Sequence, residues 1–424
     1  MAWLLVALLT VLATCGDGFA QSGPEPGSAP PSTPVPTEEI KEIVQLLVDG
    51  QHESVIRRVD AFTTRHALTG ETFSVLLLKA ESQRQLGRID DAIHSYLATT
   101  SFIEQLHNVS QRRFVFVYFR LAMLYRRKAQ PEVAVRFVTA GLAREPQNVY
   151  YQILLGELLR ERGDSAQALQ HLTTVLASPT PNPEERIVLQ IKIDRLRGVT
   201  PPGPPPGLAA GPLHSGLSFG LVPFNIPDAR VSASDLCLLL ESKWLLPCAL
   251  LPPVHVDDTQ ILDTRRRQYG GDRVLEELGR RYPADRRPHP FIIAVTGRDI
   301  FAPETNFVFS WQSPSTGLGV MSTHRFMAGL DDFYEPSVVA TRRVAIQLLS
   351  TSGSLLGFSR PTQPECPLAY PHDVREFMLK GSRLCDSTVA EREALLRRRG
   401  GPSAPWGAAK AEEIGRLYRT YHFD

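Results

Sequence analysis

The stretch FIIAVTGRDIFAPETNFVFSWQSP, residues 291–314, carries two runs of β-branched and aromatic residues, FIIAVT (291–296) and NFVFSW (306–311). Such side chains fit a pleated, half-buried surface, so both runs read as strands. GLGVMST (317–323) reads as a third strand and SFGLVPF (218–224) as a fourth. Helical patterns lie around them. One runs from Ser232 to Leu245, with Ser232 and Ser234 as candidate N-caps. Another runs from Asp272 to Arg281, and a long one from Glu335 to about Gly357, starting near Pro336. The class expected for residues 217–390 is α+β, or mixed α/β.

Outward from this region the composition changes sharply. Residues 198–216, GVTPPGPPPGLAAGPLHSG, are a Pro/Gly-rich linker, semi-stiff because consecutive prolines favour extended geometry. Residues 391–424 are expected to form a tail, with the interruption RGGPSAPWG and a short amphipathic helix AEEIGRLYRTY. Residues 37–197 read as continuous helix pairs, with apolar residues at helical spacing. Residues 21–36 are a Pro-rich spacer, disordered by composition. Residues 1–20 read as a signal peptide: AWLLVALLTVLAT (2–14) is apolar but shorter than a bilayer span. A lipid anchor would use Cys15, which Thr14 precedes.

The helical region repeats itself. Gly87, Ala129 and Gly163 stand at turns, each followed five residues later by alanine: Ala92, Ala134 and Ala168. The last two units are 34 residues apart. The first interval is 42, so the connection near 100–112 holds about eight extra residues. Ala80, Ala122 and Gly156 take the small site of the first helix, Tyr125 an aromatic site, and Pro146 ends a second helix. A more degenerate unit has Gly50 at its turn. Small residues let paired helices approach, and units stack because one pair cannot bury its apolar face. The region resembles tetratricopeptide repeats, which implies a solenoid whose groove takes a peptide or a partner's helix. Arg113, Arg120, Arg126 and Arg127 lie on or near such a groove, or on an ordinary solvated face.

Net charge is +1, with 43% hydrophobic and 21% charged residues, so no global field draws the chain to nucleic acid. Outside the leader there are four cysteines, Cys237, Cys248, Cys366 and Cys385, an even count that permits two disulfides in an oxidising compartment. Asn108, Val109 and Ser110 form a glycosylation pattern.

Residues 291–314, followed by GLGVMSTHRF, closely resemble the archaemetzincins, a branch of the zinc-dependent metzincin peptidases. RRRQYGGDRVLEEL (265–278) matches the segment preceding that family's helix. The resemblance covers about residues 217–390. It implies an active helix bearing H-E-x-x-H-x-x-G-x-x-H. Gly357 sets the register, which puts Ser350, Ser354 and Arg360 at the three histidine positions and Thr351 at the glutamate. The family's Met position is Leu368. Of its second, four-cysteine zinc site, Pro361 takes the first position and Cys366 the second. Cys385 sits one residue short of the third, and Thr388 takes the fourth.

The resemblance therefore implies a retained frame without its ligands. Catalytic zinc needs three protein ligands and an open water position. Hydroxyls are poor substitutes for imidazole, and threonine cannot serve as the base that takes a proton from zinc-bound water. A guanidinium at about 4 Å from a dication, at an effective dielectric of about 20, would add roughly 8 kcal/mol of repulsion. Cys366 and Cys385 are either a disulfide or two separate thiols.

The expected architecture is an all-α tetratricopeptide helical-hairpin solenoid joined to an α+β metzincin-like domain. The expected function is an exported, periplasmic or secreted, protein-binding scaffold with a catalytically inactive peptidase-like domain and no cofactor. Two alternatives stand beside it. One is a hydrolase with a replacement site drawn from Ser350, Ser354, His324 and His372. The other is an envelope assembly factor acting through its repeats alone.

Overall fold

The computed structural model describes residues 37–68, 72–105, 114–199, 211–212, 216–225, 231–327, 336–371, 373–399 and 406–423. The leader with Cys15, the spacer, Asn108, Arg113, Glu335 and His372 lie outside them. Two compact units divide at Val175 and Leu176.

The first unit is a run of helical hairpins: α1 (Thr37–Val48) with α2 (His52–Arg65), α3 (Ser74–Gln85) with α4 (Ile89–Gln105), α5 (Phe116–Arg127) with α6 (Pro131–Arg144), and α7 (Val149–Glu161) with α8 (Ser165–Ala177). Each hairpin turns at the residue singled out from the sequence. Gly50, Gly87 and Gly163 have φ of 72°, 73° and 91°, and Ala129 reaches 55° without glycine's freedom. Close approach of the paired helices explains the small residues. Ala80, Ala92, Ala122, Ala134 and Ala168 are fully buried. A Cβ on Gly156 would lie 2.4 Å from Leu172 Cδ2. Tyr125 stacks on Phe137 with centroids 5.4 Å apart.

Ion pairs tie neighbouring hairpins at one repeat's spacing. Arg88 bonds Glu53 at 2.6 Å and Arg126 bonds Glu161 at 2.9 Å, each pair 35 residues apart. Exposed pairs of this kind contribute at most about 1 kcal/mol each, so they fix register more than stability. Burial of the apolar seams does the larger part.

The second unit begins with α9 (Pro183–Arg197), started by Asn182 and Glu185 in a capping box and stopped by Gly198 at φ 65°. The sequence reading placed this helix with the repeats. It is grouped with the second unit, where Glu184 pairs with a buried arginine of a central helix.

A five-stranded sheet follows, ordered β2 (Cys248–Leu250), β1 (Phe219–Pro223), β5 (Phe291–Thr296), β8 (Leu318–Ser322), β7 (Ser310–Ser313). All its pairings are parallel except that of β7 with β8. A small second sheet joins β3 (Leu262–Asp263), β4 (Gln268–Gly270) and β6 (Ile300–Phe301). Alternation along β5 divides two cores. Ile293 and Val295 face a cluster with α10 (Ala233–Trp244), α12 (Pro336–Leu355) and α14 (Ala408–Tyr421). Ile292 and Ala294 face a cluster with α11 (Gly271–Arg281). Helices thus cover both faces of a mostly parallel sheet, the mixed α/β arrangement.

Most elements fall where the sequence puts them. Ser232 caps α10, accepting from the Asp235 amide. NFVFSW is the exception, because it serves two sheets. Val308 bridges Ile300 of the small sheet, Phe309 turns into the core against Phe326 and Phe377, and only from Ser310 does the chain pair with β8. The expected tail is also part of the core. After α13 (Asp386–Arg398), Ile414, Leu417 and Tyr418 of α14 are buried in it. Asp235 accepts from Arg416 at 3.0 Å and from the Tyr421 hydroxyl at 2.7 Å.

Candidate functional site

Helix α12 is buried along almost all its length and crosses the sheet beside β7 and β8. Its last two turns carry Ser350, Thr351 and Ser354, and Gly357 with φ 79° follows the helix end. A Cβ on Gly353 would lie 2.7 Å from Leu368 Cδ2, so Leu368 lies directly against α12. Leu368 is itself buried.

A polar network joins this face to the edge strand. Gln347 donates Nε2 to Ser310 Oγ at 2.8 Å, and Gln312 donates Nε2 to Ser354 Oγ at 3.2 Å. Thr351 is fully buried and its hydroxyl donates to the Gln347 carbonyl at 2.9 Å. Ser352, on the opposite side, accepts from Trp244 Nε1 at 2.8 Å. The sequence reading missed Gln347, Ser310 and Gln312. The signal lay in the spacing, because Gln347 is one helical turn before Thr351 and shares its face.

Arg360 is exposed, and its guanidinium sits 5.1 Å from the centroid of the Tyr370 ring. The repulsion argued from the sequence is therefore the lesser consideration here. The donor set decides the fit. Two serine hydroxyls, one engaged with an amide, and a guanidinium offer no anionic or imidazole ligand. Among the described residues, no three His, Cys, Asp or Glu side chains converge. These residues do not fit a catalytic zinc.

Cys366, Cys385 and Thr388 do come together. Cys366 and Cys385 are disulfide-bonded with Cα atoms 5.4 Å apart. Thr388 Oγ1 lies 3.1 Å from Cys385 Sγ and 3.8 Å from Cys366 Sγ. The cystine thus has a threonine hydroxyl beside it. Cys237 and Cys248 form a second disulfide, linking α10 to β2.

Ser350 is buried in α12, and His324 is exposed in the short helix His324–Met327. Among the described residues, no hydrogen bond joins His324 to Ser350 or Ser354.

In the repeats, Arg126 is committed to Glu161, and Arg127 is exposed. Arg120 acts on Glu81, which is buried in α3. Burial pushes the Glu81 carboxyl up. Burial is the largest single influence, but the Arg84 hydrogen bonds, the charges of Arg120 and Arg84 and the Tyr96 hydroxyl together outweigh it and hold the group at about 2.

A helical-repeat unit and an α/β unit with a mostly parallel sheet define the class of the chain. The comparisons give the particular likeness. No family model matches the chain. It is 26% identical over 184 residues to archaemetzincin from Aeropyrum pernix, spanning 42% of this chain and 94% of that protein. The crystal structure of archaemetzincin from Methanopyrus kandleri is 21% identical, with a TM-score of 0.37, covering 44% of this chain and 99% of that one. The TPR-like repeats of a kinesin light chain-type protein from Podosopora anserina are 16% identical, with a TM-score of 0.33, covering 38% of this chain and 84% of that one. The chain joins tetratricopeptide-like repeats to an archaemetzincin-like domain.

Proposed function

We propose that the protein is a non-catalytic, exported scaffold, in which the repeats hold a protein or peptide partner and the archaemetzincin-like domain has given up zinc chemistry. The observation that carries this reading is the face of α12. Where a peptidase of this kind needs imidazoles and a carboxylate, Ser350, Thr351 and Ser354 stand, two of them hydrogen-bonded to neighbouring side or main chain, while Arg360 lies over Tyr370. These side chains offer no ligand set for a cation that would lower a water's pKa, and none of them is a carboxylate able to take its proton. The two cystines support the export reading, because disulfides persist in oxidising compartments.

Elemental analysis of full-length protein purified without chelator tests the first part. Less than a tenth of an equivalent of zinc is expected, or roughly so given trace contamination. A full equivalent that is lost on Ser354→Ala or Arg360→Ala would refute it.

A further inference from the structure

The two cystines of the second unit stand in different surroundings. Cys366 is buried, Cys385 is half-buried, and Cys385 is the N-cap residue of α13. Its Sγ lies 3.1 Å from Thr388 Oγ1 and 3.5 Å from Ser387 Oγ. Thr388 is fully buried in the first turn of α13. Among the described residues, the hydrogen-bonding neighbours of its hydroxyl are the two sulfurs, with Cys366 Sγ 3.8 Å away. Arg383 and Asp386, both exposed, flank Cys385 in the chain with opposite charges. The other cystine has none of these donors. Cys237 is buried in the body of α10, and among the described residues no hydrogen bond reaches its sulfur or that of Cys248. The charged group at Cys248 is Glu241, which accepts from the Cys248 amide at 3.1 Å and pairs with Lys410. It offers a thiolate no donor.

A disulfide sulfur is a weak acceptor, so the buried Thr388 hydroxyl is poorly satisfied while the bond is closed. A thiolate is a strong acceptor, and a charge-assisted hydrogen bond is roughly twice as strong as a neutral one. A thiolate at Cys385 also meets the amide end of a 13-residue helix, where negative charge is favoured. Both effects stabilise the opened form of this bond and have no counterpart at Cys237 and Cys248. A cystine whose reduced form is stabilised is the more readily reduced. The frame tolerates opening, because Leu368 packs against Gly353 and Phe377 against Phe309 within the closed loop.

We propose that the cystine of Cys366 and Cys385 is a thiol–disulfide exchange site for dithiols, with Cys385 as the sulfur that takes the incoming thiolate and Thr388 as the hydroxyl that serves both sulfurs. Access selects Cys385, since Cys366 is 2% exposed. The first thiolate of the dithiol attacks Cys385 Sγ, and the bond to Cys366 breaks. The electron pair of that bond leaves on Cys366 Sγ, within reach of Thr388 Oγ1, and takes up a proton. The second thiolate of the dithiol then attacks the dithiol's own sulfur in the mixed disulfide and frees Cys385 as a thiolate. The dithiol ends as its disulfide, and the protein ends with two reduced cysteines. This site is independent of the scaffold reading.

The test places full-length protein in mixtures of reduced and oxidised dithiothreitol at neutral pH. The samples are quenched with acid and alkylated, and each cystine is read by peptide mass spectrometry. The bond of Cys366 and Cys385 is expected to be half open at a ratio of reduced to oxidised reagent at least about tenfold below that needed for Cys237 and Cys248. Thr388→Val, which keeps the side chain's shape and removes its hydroxyl, is expected to close most of that gap. With glutathione in place of the dithiol, the mixed disulfide is expected on Cys385. Equal ratios for the two cystines, the reverse order, an unchanged gap in the variant, or glutathione carried on Cys366 would overturn the proposal. The wild-type ratios and the position of glutathione decide it even if the variant fails to fold.

Discussion

The repeats and the archaemetzincin-like domain keep their frames by the same means and differ in what the frame carries. In the repeats, Gly156 admits Leu172 and Ala129 holds a left-handed turn. In the second unit, Gly353 admits Leu368 and Gly357 turns the chain after α12. The residues that chemistry alone would demand are absent from α12, although the residues that packing demands are present. Packing constrains a buried position from every side, whereas a ligand position is constrained only by its metal. A serine or threonine can therefore sit on a buried helix face provided its hydroxyl finds a partner, as those of Ser354 and Thr351 do.

The sharpest way to break this comparison is to put the ligands back. If the frame of α12 is peptidase-like, the combined substitution Ser350→His, Ser354→His and Arg360→His raises zinc affinity by about a thousandfold or more, read by competition with a chromophoric chelator. A folded triple variant with unchanged zinc affinity would mean that the helix no longer holds the family geometry.

Acid should separate the two units next. Glu81 sits at about 2 in the folded repeats against an ordinary 4.5, so its stabilisation is complete above pH 4.5 and is lost as pH falls towards 2. That shift amounts to roughly 3 kcal/mol. Urea unfolding between pH 5 and 3 should show the repeats weakening over this window, and Glu81→Gln should flatten that part of the profile. An unchanged profile would remove Glu81 as the cause.

The smallest effects concern the paired glycines. Gly156→Ala gains about 1 kcal/mol of helix propensity and incurs an overpacking cost of about 1–3 kcal/mol, since both Leu172 Cδ2 and Cγ fall within 2.6 Å of the new methyl. A net loss of about 1 kcal/mol is expected. Gly353→Ala meets Leu368 at 2.7 and 3.0 Å and should lose less. Thermal unfolding ranks the two, and the reverse order would show that the α12 face is the more tightly packed.

The sequence by itself determined the hairpin turns, the small residues between paired helices, the strands at 219–223, 291–296 and 318–322, and the identity of the side chains on the α12 face. These are local matters: period, turn chemistry and residue type act within a few positions of the chain. Tertiary structure decided the rest. It split NFVFSW between two sheets, drew residues 408–423 into the core, and chose partners for four cysteines whose pairing no spacing could assign. It also set Arg343 against Glu184, 159 residues away. Pairings of that range depend on how distant segments pack, and a linear pattern holds no record of that distance.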